Sequence, residues 1–150
     1  MQHDEKLHIP IEARSAGVAI IDSEDRILLV KEKIGSKADL WHIPAGGVKA
    51  NESLESAALR EAQEEIGLDV NLEEYLNTYV GRFEDGDFVA RHVWLATTNP
   101  GEIPNPASTE EIAECRFFNK SEFEELYSTG EIRMYHTKLI FEEALSLKGK

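Results

Sequence analysis

One cysteine, Cys115, serves the whole chain, so no intrachain disulfide can form and the fold has to be held by its core. That usage fits a reducing compartment, and the cytoplasm is the expected location. Cys115 itself reads as a small buried hydrophobe. Long apolar runs are missing as well. The amino-terminal stretch "MQHDEKLHIPIEARSAGVAII" sets charges and a proline ahead of its first apolar run, which predicts neither a signal peptide nor a membrane-spanning helix. Basic residues are scarce: 16 Lys and Arg face 29 Asp and Glu, a formal net charge of -13. A chain of this balance repels polynucleotides, and no basic stripe with interleaved aromatics is present to follow a backbone, so duplex DNA is excluded as a partner. No serine sits in a nucleophile elbow and Cys115 has no matched base, which leaves covalent catalysis without a candidate. A small phosphorylated substrate fits this charge only if a divalent cation neutralises both it and the protein's carboxylates.

What is present suits one globular domain over 1–150, with 41% hydrophobic and 30% charged residues. "SAGVAIID" and "RILLVK", joined by "SED", predict an antiparallel hairpin. "LWHIPAGGV" follows and leads into a Pro-Ala-Gly-Gly turn. From Glu52 to Ile66 the pattern becomes helical, with Ala58, Leu59, Ala62 and Ile66 on one face, Asn51 as candidate N-cap and Gly67 as candidate terminator. "LNTYVGRFE" and "DFVARHVWLATT" flank "DGD", a second hairpin signal. A Pro/Asn-rich loop, a last strand at "ECRFF", and helical patterns at "KSEFEELYS" and "YHTKLIFEEALSL" complete the chain. The order β-β-α-β-β-β-α-α implies a mixed sheet with helices packed on it, not a doubly wound fold.

The informative stretch is "REAQEEIG". In a helix Glu61, Glu64 and Glu65 fall at i, i+3 and i+4 and stand side by side, where like charges repel. A hard divalent cation, which prefers oxygen ligands and bridges carboxylates to phosphates, offsets that repulsion. The Gly-rich turn "AGGVKANE" just upstream lets backbone atoms approach a ligand.

Gly46, five residues, Glu52, seven residues, then Arg60-Glu61-Ala62-Gln63-Glu64-Glu65-Ile66-Gly67-Leu68 resembles the signature of the Nudix hydrolases at every fixed position across 23 residues. Ala62 stands where a larger aliphatic is usual. The resemblance extends to "LWHIPAGGV", "RHVWLA" and "EIAECRFF" and so covers nearly the whole chain. It implies an α+β Nudix fold, a mixed sheet between helices in an α/β/α sandwich, with Mg2+ or Mn2+ as cofactor. It implies that Glu61, Glu64 and Glu65 ligate metal and act in catalysis together with the Gly46 carbonyl, and that Glu52, Arg60 and Gly67 are structural. The family uses a further glutamate outside the box as ligand or base. Glu110, Glu111 and Glu114 are candidates, with Glu111 preferred because it precedes the aliphatic of an "EIxE" pattern.

The implied reaction is attack by water on a phosphorus of a diphosphate link. Family members cleaving ADP-ribose tend to carry a proline past the box, and those cleaving dinucleoside polyphosphates a tyrosine; here Phe83 falls near that place. The chain most resembles a small bacterial branch hydrolysing diadenosine polyphosphates and nucleoside triphosphates, oxidised ones included. ADP-ribose and RNA 5′ ends are the alternative substrates, and an inactive nucleotide-sensing module is the alternative of another class. Lys31, Arg82, Arg91 and Lys138 are the expected phosphate-facing cations, with Phe83 and Tyr135 expected to stack on a base. Monomer and homodimer both stay open.

Overall fold

A computed structural model describes residues 11–35, 37–82 and 86–149. The elements in chain order are β1 (Ile11–Ile20), β2 (Ile27–Glu32), β3 (Trp41–His42), β4 (Ala45–Gly47), α1 (Leu54–Ile66), β5 (Asn71–Arg82), β6 (Phe88–Thr97), β7 (Ile112–Phe118), α2 (Lys120–Ser128) and α3 (Tyr135–Lys148). They build a four-stranded sheet in the order β4-β1-β6-β5 and a three-stranded sheet in the order β3-β2-β7. The mixed character expected from the element order comes from one strand pairing: β1 runs parallel to β6, and the other pairings between these strands are antiparallel.

Two cores follow from the alternation of apolar side chains in β1 and β2. Ala16, Val18, Ile20, Leu28 and Val30 point to one side, where Ala57, Ala58, Ala62 and Ile66 of α1 cover them. Ala19, Ile27 and Leu29 point to the other, where Phe123 of α2 and Ile140, Phe141 and Ala144 of α3 close the layer. Strands apolar on both faces are what a sheet needs when helices cover both of its sides. The result is an α/β/α sandwich.

Several local expectations are corrected. The "SED" turn does reverse the chain, through Asp22 N to Arg26 O and an Ile21–Ile27 bridge, but β1 and β2 then part into different sheets instead of continuing as a hairpin. The Pro-Ala-Gly-Gly segment is not only a turn, because Ala45–Gly47 pairs with Ser15–Gly17 as a short strand. The N-cap of α1 is Ser53, whose hydroxyl accepts from Ser56 N at 3.1 Å, while Asn51 sits at φ 63 in the preceding turn. Leu59 is exposed, and Ala57 takes its place on the apolar face. The second hairpin stands as expected, with β5 and β6 antiparallel.

Candidate active site

The signature residues converge where β4 meets α1. Helix α1 begins at the Ser53 cap and stops at Gly67, whose φ of 70 lets its amide return to Gln63 O. Between those ends, Glu61 and Glu65 are buried, each 8% exposed, and Glu64 is partly exposed. The acidic face is therefore packed against the β4 loop and is not a solvated surface. A Cβ at Gly46 would coincide with the Glu61 carboxylate, so glycine is what allows that carboxylate to lie on the strand. Glu65 Oε1 accepts the Ala45 amide at 3.0 Å.

Arg60 organises the loop. Its Nε and Nη2 donate to the two oxygens of Glu52 at 2.8 and 3.0 Å, and Nη2 also donates to the Gly47 carbonyl at 2.9 Å. Its Nη1 reaches Glu61 at 3.0 Å and Glu64 at 3.1 Å. Glu52 in turn accepts from Lys49 N at 2.9 Å. The bidentate fork fixes geometry as well as charge. It holds the Glu52 carboxyl down to about 2, chiefly through the Arg60 hydrogen bonds.

The remaining carboxyls move the other way. Burial pushes Glu65 up to about 9, and the charges of Glu61, Glu32 and Glu111 add to the effect. Burial also raises Glu61, against the opposing Arg60 charge. Of the three glutamates that precede or open β7, Glu111 is the one whose charge acts on both Glu61 and Glu65. Glu114 turns instead to Arg116 at 3.3 Å. The loop before β7 is docked on the end of α1, with Asn105 N bonded to Ile66 O and Ser108 N to Glu64 O, each at 2.8 Å. That docking brings Glu111 to the acidic helix. Among the described residues, no group of three or more His, Cys, Asp or Glu side chains stands placed to hold a metal ion as they lie, with Glu61 and Glu64 turned to Arg60 and Glu65 to the Ala45 amide.

On the far side of β4 lies a cleft of about 190 Å3 that includes Gly46, Gly47, His42, Arg14, Arg91 and Arg133 in its lining. Arg91, one of the cations expected from the sequence to face phosphates, lines this cleft. Arg14 and Arg133 were not anticipated, since one sits in an ordinary strand pattern and the other in a loop before α3. Arg14 is held by His92 Nε2 at 2.9 Å, and His92 Nδ1 by the Tyr75 hydroxyl at 2.9 Å. Arg133 stands 3.2 Å from Glu32, while its Nε is buried without a hydrogen-bond partner. Burial, with Arg133, Arg91 and His136 around it, pushes His42 well below the ordinary imidazole range, so it stays neutral.

The other expected substrate contacts lie elsewhere. Lys138 packs over the Tyr127 ring and stands 4.0 Å from Glu124 of α2. Lys31 stands over Trp41, and Arg82 over Phe88. Tyr135 is 58% exposed at the start of α3. Phe83 lies outside the described residues.

The sequence profile of the NUDIX domain matches residues 12–138. The chain belongs to the Nudix family, and it is an enzyme of the pyrophosphohydrolase class. It is similar to an 8-oxo-dGTP diphosphatase of Proteus vulgaris, 35% identical over 117 residues, spanning 77% of this chain and 94% of that one. Among solved structures, a NUDIX hydrolase from Nitrosomonas europaea superposes with a TM-score of 0.74 at 20% identity, covering 89% of this chain and 88% of that chain. A C. elegans Ap4A hydrolase in a binary complex superposes at 0.70 with 18% identity, covering 92% and 99%. At those identities the two structures speak for the fold alone. Hydrolases of this family use divalent metal ions, and among the described residues no helix is long and apolar enough to cross a membrane.

Proposed function

We propose that Glu61, Glu64, Glu65, the Gly46 carbonyl and Glu111 hold Mg2+ or Mn2+, and that the enzyme hydrolyses nucleoside triphosphates, oxidised purine forms included, and diadenosine polyphosphates. The observation that carries this reading is the two-sided position of Gly46, with the Glu61 carboxylate on one side and the arginine-lined cleft on the other. A diphosphate lying across β4 meets both.

The donor set fits a hard cation, since every proposed ligand is an oxygen. The buried Glu65 makes the same point, because among the described residues its hydrogen-bond partner is the Ala45 amide and its charged neighbours are acids that raise its pKa. A divalent charge offsets both burial and repulsion. When bound, the cation supplies neutralisation of the diphosphate and acidifies a water.

The chain's own residues do the rest. Arg60 keeps Glu52 through Nε and Nη2, which would hold the β4 loop against α1 if Glu61 and Glu64 held a cation in place of Nη1. Glu111 acts as a further ligand or as the base that takes the proton of the attacking water. Arg91 and Arg133 receive phosphate oxygens in the cleft, a local positive wall in a chain of net charge -13, while the Arg14 guanidinium is held by His92 on the α1 face of the sheet. One Nudix domain fills 1–150 in this reading and works in the cytoplasm.

The similarity to the 8-oxo-dGTP diphosphatase supports the triphosphate assignment. The test is a panel of 8-oxo-dGTP, GTP, diadenosine tetraphosphate and ADP-ribose, read by product chromatography. A triphosphate or the tetraphosphate should exceed ADP-ribose in kcat/KM by about tenfold or more. ADP-ribose as the better substrate would overturn the assignment.

A further inference from the structure

Gly81 lies inside β5, where glycine costs stability through backbone entropy and absent packing. Its φ is not in the left-handed region, so any residue could adopt its backbone conformation. What glycine supplies there is room. A Cβ would collide with Nη1 of Arg91 and would stand 3.3 Å from Cε1 of His136. Arg91 is paired with Tyr79 in the β5–β6 register, so its guanidinium crosses onto β5 and lies over Gly81.

From the opposite side, the first turn of α3 brings His136, with Nδ1 3.5 Å from Arg91 Nη1. That distance is long for a hydrogen bond, and the contact acts as a lid more than as a tether. A guanidinium only donates, so Nδ1 faces it as the unprotonated nitrogen. Tyr79 supports the imidazole, ring centroids 5.7 Å apart. Among the described residues no carboxylate pairs with Arg91, and the charge that acts on it is that of Arg133, which repels it. A half-buried arginine facing another cation across a cleft is set for an anionic ligand.

We propose that Gly81 and His136 form a seat that lays the Arg91 guanidinium flat on β5, so that Arg91 takes a phosphate beyond the diphosphate held at the acidic cluster and selects nucleotides with three or more phosphates. Gly81 and His136 are positioning residues, and Arg91 is the group that touches the substrate. The inference rests on the functional reading above for where the diphosphate lies.

The test uses Gly81→Ala, which displaces Nη1 at the far end of the flexible Arg91 side chain and asks the His136 ring to give by a few tenths of an ångström. Its melting temperature should hold or rise, because alanine replaces glycine in a regular strand. Its KM for 8-oxo-dGTP should rise about tenfold, as expected for a displaced charge-assisted phosphate contact, while KM for ADP-ribose should change by less than about twofold. His136→Leu should follow Gly81→Ala, and His136→Gln, which keeps an acceptor over the guanidinium, should restore most of the loss. Equal rises for both substrates, or no rise for either, would overturn the proposal. A metal-free arm stands apart from turnover: calorimetric titration with inorganic tripolyphosphate should show binding to the wild type weakened in Gly81→Ala by about the same factor. Equal affinity for both proteins sinks the seat even if the enzyme cleaves triphosphates. A tripolyphosphate difference without any triphosphate turnover sinks the substrate reading and leaves the seat standing.

Discussion

Glu65 Oε1 accepts the backbone amide of Ala45 at 3.0 Å, which ties the last turn of α1 to the strand that carries Gly46. The bond is made by a carboxyl that burial pushes up to about 9. Unfolded, the same group ionises near the ordinary glutamate value of 4.5. Between those values the native state keeps a proton that the unfolded state has released, so stability in EDTA should fall as pH rises through that window. Thermal melts in EDTA at pH 6 and pH 9 read this directly. Glu65→Gln should flatten the slope and melt higher than the wild type at alkaline pH. An unchanged slope in the variant would place the titration elsewhere.

The same proton predicts a linkage to metal. Binding of Mg2+ near neutral pH should release protons, because a ligating carboxylate must be ionised. Calorimetry in two buffers of different ionisation enthalpy gives the number released. Glu65→Gln should release fewer, and identical release from both proteins contradicts Glu65 as a ligand.

Arg60 stands among Glu52, Glu61 and Glu64 and is the cation bonded to all three. Arg60→Lys keeps the charge but loses the fork to Glu52 and the bond to Gly47 O. Without metal, its melting temperature should drop by several degrees, and kcat should fall because the β4 loop no longer holds its register. A variant with wild-type stability and turnover would reduce the fork to an ornament of the fold.

Arg133 carries a buried Nε without a hydrogen-bond partner beside the cleft. A phosphate oxygen there would satisfy it. Arg133→Gln should raise KM for a nucleoside triphosphate by about tenfold while kcat changes much less, the pattern of lost uniform binding. A fall in kcat at constant KM would instead assign Arg133 to the chemistry.

The acidic helix was legible because its spacing is local: the five consecutive residues from Glu61 to Glu65 fix which carboxylates share a face, and the glycines at Gly46 and Gly67 mark its approaches. That Glu61 and Glu65 are buried was not legible, because burial comes from β4 docking on α1, and β4 is too short to show a strand pattern. The split of β1 and β2 into separate sheets was hidden for the same reason, since a turn signal reports chain reversal and not which partner each strand takes. Arg14 and Arg133 lie far apart in sequence and meet at the cleft only through β1 and the segment before α3. Lys138, expected from the sequence to face phosphates, stands 4.0 Å from Glu124 and over the Tyr127 ring, contacts between α3 and α2 that no sequence pattern announces.

If the α1 carboxylates hold the catalytic metal, Mn2+ binding followed by electron paramagnetic resonance should separate wild type from Glu64→Gln measured side by side. Glu64→Gln keeps shape and helix propensity and removes one charged oxygen ligand. In Glu64→Gln, Mn2+ affinity should weaken by about tenfold or more, with kcat down by about a thousandfold in the same preparation, as loss of several kcal/mol of charge stabilisation requires. Unchanged Mn2+ affinity with near wild-type turnover would contradict metal binding by these carboxylates.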